Sequence, residues 1–425
     1  MDDGFDVIVK IPYHITGPKH YATASKAATL TYLNTKDIPV PKVYRYSSSD
    51  NNPAGVEYIV LEKAAGVGLE TKWLTMSKRE RHTLALSAVE VEKKFFDIPF
   101  RAIRSIYFKQ DVPSGLQTTL YKPDVKSDRD SEIFCIGPTA DYRFWYGKRA
   151  ELDLHKLDFP HNGVCPGEKS PADYLSLLEK YLALPTLRHP DLNPNNIFIS
   201  PDTGAVTCII DWQYTTIEPR LLAAGYPRAF ENPDPEQSPT LEGPSLPLDN
   251  EALSPEEKAE AEEPYRRRLL FYYYRIFNGH SNKPHIEALR DPILLPRQHL
   301  VGRAGRQWNG NLIILKEALL RMTEYWPHLP DTKGVSCPVH FTDTEVAEFG
   351  EQEQLWFQLN SPVNHWRDQV GGVSEDGWIS NDRYDDTVRK IAELKSSLLA
   401  TAEGDEEDIR FLEKGWLFRD RPEIY

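Results

Sequence analysis

Residues 187–213 read LRHPDLNPNNIFISPDTGAVTCIIDWQ, and the order of polar and apolar residues in this stretch decides the fold. Two short apolar runs, Ile197 to Ser200 and Ala205 to Ile210, flank the turn sequence Pro201-Asp202-Thr203-Gly204. Such a pattern predicts an antiparallel hairpin. Asn196 precedes the first strand and Asp211 follows the second, so the hairpin brings both to its open end. Asp191, five residues before Asn196, sits on the loop entering that end. Taken singly, each residue is an ordinary capping Asp or turn Asn. Taken in order, they place two carboxylates and an amide oxygen together.

That set has a definite chemistry. One carboxylate can accept a proton, and the remaining two groups are hard oxygen ligands of the kind Mg²⁺ prefers. Phosphoryl transfer asks little more of a protein than positioning and charge neutralisation. The spacing also follows the kinase pattern, in which a catalytic-loop Asp precedes an Asn by five residues and a metal-binding Asp follows after a strand.

The bulk of the sequence is compatible with this reading. The chain has 425 residues, 40% hydrophobic and 11% aromatic, enough to fill a sizeable core. Fifty Lys and Arg against 64 Asp and Glu give a formal charge of −14. This argues against a general nucleic-acid or anionic-membrane surface and favours a cationic small molecule. Cys135, Cys165, Cys208 and Cys337 are widely spaced with no CxxC pair, so neither a disulfide framework nor a zinc site is expected. No apolar run approaches the roughly 18 residues of a membrane span. The opening MDDGFDVIVK has no targeting pattern.

Along the chain, FDVIVKI reads as a strand, His20 to Leu33 as a helix, and IPVPKVYRY and EYIVLEK as further extended runs. A helical period runs from Thr75 to Phe95. SPADYLSLLEKYLAL predicts another helix, capped by Ser170 with Pro171 in its first turn. Residues 111–169 are irregular, with a hairpin expected near LQTTLYKPD. Residues 226–249 hold six prolines and mark an exposed loop. Capping boxes at Ser254/Glu257 and Thr342/Glu345 open two long helices, and the last quarter, through DDTVRKIAELKSSLLATA, is helical. The fold class is therefore α+β, a small mixed lobe over residues 1–65 and a larger, mainly helical lobe with a helical extension over 66–425.

Two details separate the loop from that of protein kinases. Position 193 is Asn where they usually carry Lys, and IIDWQ stands where they carry Asp-Phe-Gly. HxDLNxxNI followed by IIDW resembles the aminoglycoside and choline phosphotransferase family, which has the protein-kinase-like two-lobed fold and phosphorylates small molecules with MgATP. Within it, LLAAGYPRAFENP and DGFDVIVKIPYHITGPKHYATAS resemble the fungal altered inheritance of mitochondria group, a likeness that runs over most of the chain and implies a mitochondrial address.

The resemblance implies a role for each matched position. Asp191 would be the general base, Asn196 and Asp211 the Mg²⁺ ligands, and His189 a brace between the loop and the backbone near Asp211. Lys10 would meet the α- and β-phosphates of ATP, and backbone groups near Leu61 and Glu62 the adenine. Flanking Val7, Val9 and Ile11 favour an inward-facing Lys10. The aromatics of FWYGKRAEL and YRRRLLFYYY are core packing first and an acceptor pocket second, and Glu218 is a weak candidate for a cationic acceptor.

The sequence departs from the family in its first lobe. From Lys10 to Lys36 there is no Asp or Glu, and Lys26 falls where the lysine-holding glutamate would align. Two ammonium groups there are expected to repel. Only five residues precede Asp6, too few for two strands and a turn, so two expectations stand: a start upstream of Met1 that would supply a phosphate-covering loop and a presequence, which is preferred, or a chain that lacks that loop. The leading expectation is an ATP-dependent kinase of an unidentified small hydroxylated acceptor. The alternative is a catalytically impaired pseudokinase that acts as a binding or scaffold protein in mitochondrial maintenance.

Overall fold

A computed structural model describes residues 6–12, 18–125, 129–141, 145, 185–234, 241–246, 254–305, 313–329, 336–337, 339–371, 383–401, 405–416 and 418. The expected helix at SPADYLSLLEKYLAL lies outside these residues, as does most of FWYGKRAEL. The chain divides into two compact units, Met1–Arg306 and Gln307–Tyr425.

The first unit opens with strand β1 (Val7–Lys10), helix α1 (Tyr21–Thr35), β2 (Val43–Ser47) and β3 (Tyr58–Glu62). The strands form an antiparallel sheet in the order β1-β3-β2, with Lys10 opposite Ile59 and Ser47 opposite Tyr58. β1 is an edge strand, and its Val9 and Ile11 are more than half exposed. Val9 and Ile11 therefore face outward, while Lys10, on the other face of the strand, reaches Asp211.

α1 packs against this sheet and is buried on nearly every side, from Thr23 to Leu33 with only Thr31 partly exposed. Small residues make that possible: Ala24, Ser25, Ala27 and Ala28 let neighbouring elements approach closely. Glu57, just before β3, accepts from the His20 amide at 2.8 Å and the Thr23 hydroxyl at 2.6 Å. A carboxylate at the positive end of a helix is favourable, and here it also fixes α1 to the sheet.

After β4 (Val67–Gly68) and the short α2 (Leu69–Lys72), helix α3 (Lys78–Asp97) begins with a reciprocal capping box between Ser77 and Glu80. β5 (Ser105–Phe108) and β6 (Phe134–Gly137) pair antiparallel, with the one-turn α4 (Asp130–Ile133) directly before β6. The expected hairpin at LQTTLYKPD is absent. Thr118 bridges to Ile136 and Tyr121 to Phe100, so the segment's extended residues find partners elsewhere instead of each other.

β7 (Pro185–Arg188) leads into the catalytic-type loop, followed by β8 (Ile197–Ile199), β9 (Val206–Ile209) and β10 (Thr216–Pro219). β10 pairs with β7, and β8 lies between β4 and β9. Two cores meet at α3. Its C-terminal half, with Val91 and Phe95, packs with Leu30 and Leu33 of α1, Ile59 and Leu61 of β3, and Trp212. Its N-terminal half, with Leu84 and Ala85, packs with Ile197, Ile199, Phe230, Leu270 and Tyr274.

Leu270 and Tyr274 belong to the helix Pro255–Ser281, opened by the Ser254/Glu257 capping box with Pro in its first turn. Its aromatics thus serve as core, and buried Tyr274 donates a hydrogen bond to Glu92 at 2.6 Å. Cys135 and Cys208 are buried free thiols, and Cys337 is also free.

The second unit is helical among its described residues: Ile313–Tyr325, Asp343–Gln369, Tyr384–Thr401 and Glu406–Gly415. The second of these carries the Thr342/Glu345 capping box.

Candidate functional site

The hairpin forms where its sequence predicts it. β8 and β9 pair antiparallel with Ile197 opposite Ile209, and Gly204 closes the turn at φ +76° with its amide 3.0 Å from the Ser200 carbonyl. A Cβ at Gly204 would stand 2.8 Å from the Glu80 carbonyl oxygen, so both the backbone and its neighbour require glycine. At the open end the Ile210 amide donates to the Asn196 carbonyl at 2.9 Å. That bond sets Asn196 against the residue before Asp211.

His189 ties the incoming loop to the same place. Its Nε2 is 2.9 Å from the Ile210 carbonyl, and its Nδ1 is 3.1 Å from the Asp191 amide. A carbonyl only accepts and an amide only donates, so the ring carries its proton on Nε2 and is neutral. Burial pushes its pKa down to about 4, outweighing the Ile210 carbonyl and the charges of Asp211 and Asp191. The Trp212 ring packs edge-on against His189 at 4.6 Å, fully buried, with its own N–H donated to the Ile209 carbonyl.

Two asparagines complete the loop. Asn193 donates from Nδ2 to Asp191 Oδ2 at 2.8 Å and accepts from the Asn195 amide through Oδ1 at 2.8 Å. Asn196 donates from Nδ2 to the Asp191 carbonyl at 2.8 Å, which leaves its amide oxygen outside that bond. The Asn193 contact was not foreseen from the sequence, although an Asn two residues after an Asp in a tight loop was a signal for it.

Asp211 stands at φ 65°, in the left-handed region that Asp tolerates better than most residues. Its Oδ1 accepts from Lys10 Nζ at 2.6 Å and lies 3.4 Å from Lys26 Nζ. Lys26, in the second turn of α1, has a side chain only 7% exposed, against 40% for Lys10 and 30% for Asp211. The two ammonium groups therefore converge on one carboxylate oxygen, whose negative charge offsets part of their mutual repulsion. Burial and then the Lys10 charge outweigh the attraction of Asp211 and bring the Lys26 pKa down to about 8. Burial works to raise the Asp211 carboxyl, but Lys26 and Lys10 hold it below its ordinary value.

The other sequence candidates have partners of their own. Leu61 is inside β3, opposite Ile8 and Val43, and the Glu62 amide donates to the Lys42 carbonyl at 2.9 Å. Glu218 accepts from Arg188 at 3.3 Å and from the Thr216 hydroxyl at 2.9 Å. Among the described residues, no three His, Cys, Asp or Glu side chains gather to hold a metal ion, and no helix is long and apolar enough to cross a membrane.

A three-stranded sheet with α1 beside it, and a loop and hairpin that carry Asp191, Asn196 and Asp211 with Lys10 bonded to Asp211, make a frame suited to phosphotransferases. Residues 3–222, more than half of the chain, match the phosphotransferase enzyme family known as APH, and the chain belongs to that family. A subtelomeric hrmA-associated cluster protein of Aspergillus fumigatus is 28% identical over 99% of this chain and 93% of its own length. The mitochondrial altered inheritance of mitochondria protein 9 of Eremothecium gossypii is 22% identical over 93% of this chain and 73% of its own. Among solved structures, an aminoglycoside phosphotransferase of Streptomyces rimosus in complex with ADP and streptomycin is 15% identical, covering 64% of this chain and 86% of that one with a TM-score of 0.29.

Proposed function

We propose that the chain is an ATP-dependent phosphotransferase that phosphorylates a small hydroxylated acceptor, with the lobe boundary near residue 65. The observation that carries the proposal is the hydrogen-bonded path from Asp191 through His189 and Asn196 to Ile210, the residue that precedes Asp211. It holds a proton acceptor and two oxygen ligands at one end of one hairpin.

In this reading Asp191 is the general base. Asn193 occupies Oδ2, so Oδ1 takes the proton from the acceptor hydroxyl as its oxygen attacks the γ-phosphorus and ADP leaves. Lys10 meets the α- and β-phosphates, and backbone groups near Leu61 and Glu62 meet the adenine. His189 acts by position, holding the Asp191 amide and the Ile210 carbonyl on one neutral ring. The donor set fits Mg²⁺, a cation that binds through one or two protein oxygens and completes its shell with phosphates and water. Asp211 and Asn196 would hold it, and it would supply neutralisation of charge on the transferring phosphoryl group. The formal charge of −14 favours a cationic acceptor.

ADP release measured with MgATP and a panel of small alcohols and amino alcohols tests the reading. Turnover that is lost in Asp191→Ala supports it, and no turnover above the Asp191→Ala background with any acceptor opposes it. One observation favours the alternative, a pseudokinase scaffold: Lys26 adds a second ammonium group at Asp211, where it competes with a metal ion. ATP binding without turnover would favour that alternative. The mitochondrial names of the altered inheritance relatives suggest the same address for this protein, which a fluorescent fusion at its C-terminus would report.

A further inference from the structure

Charge is unbalanced around Asp211. Two ammonium groups share one carboxylate oxygen, and the charges acting on buried Lys26 are those of Lys10 and Asp211. His189, the nearest titratable ring, is neutral. One positive charge is therefore left over in a place that is largely shielded from water, where an uncompensated charge is costly. The side chain that carries it cannot swing away into solvent, because α1 is packed on nearly every side of it. An anion arriving beside Lys10 would relieve the excess, and a phosphate chain brings several negative oxygens at once.

We propose that Lys26 is a phosphate ligand, forming with Lys10 a two-ammonium receptor that binds the polyphosphate of a nucleotide without needing a divalent cation. In the free protein Asp211 Oδ1 is the shared partner of both lysines and offsets part of their repulsion. When the nucleotide enters, phosphate oxygens replace the Asp211 oxygen as partners of Lys10 and Lys26. Asp211 is then released towards the side where Asn196 lies. The proposal rests on the phosphotransferase reading and deepens it, since it assigns the binding of ATP to two fixed lysines and frees the metal ion from that task.

The test is the affinity of the full 425-residue chain for ATP, measured by calorimetry in EDTA and again in excess Mg²⁺. Wild type is expected to bind in EDTA within about fivefold of its affinity in Mg²⁺. Lys26→Met keeps the length and apolar stem of the side chain and removes the charge. It is expected to weaken binding in EDTA by about tenfold or more, with a smaller loss in Mg²⁺. A merely structural lysine would shift both conditions equally or neither. Lys26→Arg, which keeps the charge, is expected to retain most of the affinity in EDTA, and it decides the matter with the wild-type ratio if Lys26→Met does not fold. Inorganic triphosphate is expected to compete with ATP in EDTA. Wild-type binding seen only with Mg²⁺, or an unchanged affinity of Lys26→Met in EDTA, would overturn the proposal while leaving the phosphotransferase reading in place. No ATP binding in either buffer would overturn both.

Discussion

The two sides of the Asp211 carboxylate are assembled in opposite ways. On the loop side, His189, Asp191, Asn193, Asn196 and Ile210 are joined by bonds that span at most 21 residues. On the lysine side, Lys10 and Lys26 reach Asp211 from 201 and 185 residues away. The loop side is specified by its own turn chemistry and needs only the hairpin to form. The lysine side depends on the whole first lobe being in place. Chemistry should therefore be lost most sharply on the loop side, while binding should respond most to the lysine side.

The largest expected effect is at Asp191. Asp191→Asn keeps a side chain able to hydrogen bond but cannot accept the proton, and kcat is expected to fall by about 10² to 10⁴ with the affinity for ATP little changed. Steady-state ADP release with a responsive acceptor, beside calorimetry for ATP, checks the split. Parallel losses in both would erase the distinction between the two sides.

Next in size is the acid response of His189. Its folded pKa of about 4 lies below the ordinary 6.5, so the folded state favours the neutral ring. Between those values the unfolded chain binds more protons, and stability falls as pH falls from 6.5 through 4. The full loss is on the order of 3 kcal/mol. His189→Gln, which can still donate to the Ile210 carbonyl but does not titrate, is expected to flatten the decline in urea unfolding between pH 7 and pH 5. An unchanged slope would show that the ring is not the group responsible.

Gly204→Ala comes third. It forces a Cβ against the Glu80 backbone at a left-handed position, and a loss of about 1–3 kcal/mol in unfolding free energy is expected. Because the turn lies at the far end of the hairpin from Asp211, residual activity per folded molecule should stay near that of wild type. The smallest effect is expected at Asn193. Asn193→Ala removes one hydrogen bond to Asp191 Oδ2, worth about 1 kcal/mol, so kcat is expected to drop by up to about tenfold. A loss as large as that of Asp191→Asn would instead mean that Asn193 meets the acceptor itself.

The same contrast explains what was legible in the sequence. The hairpin, the Ser254 and Thr342 capping boxes and the helix through Leu84 and Val89 are written in short-range patterns, and they form where those patterns place them. Partners of extended segments are not written that way, and so the residues of LQTTLYKPD bridge to Phe100 and Ile136 rather than to each other. Lys26 shows both sides of the limit. Its place beside Lys10 was readable by alignment, and the expectation of bare repulsion followed from the two charges. What that expectation missed is Asp211, and only the packed fold shows both ammonium groups brought to one of its oxygens.

The left-handed backbone of Asp211 decides which of its variants can be interpreted. A φ of 65° is tolerable for Asp and Asn, whose short polar side chains bond locally, and strained for Ala or Glu. Asp211→Ala therefore removes a carboxylate and also pulls the chain towards a different backbone basin, close to the Asn196 and His189 contacts on Ile210. Its phenotype would mix lost charge with a displaced loop. Asp211→Asn removes the charge alone, so it is the exchange that reads as electrostatics, and handedness rather than volume sets the grammar of substitution at this position.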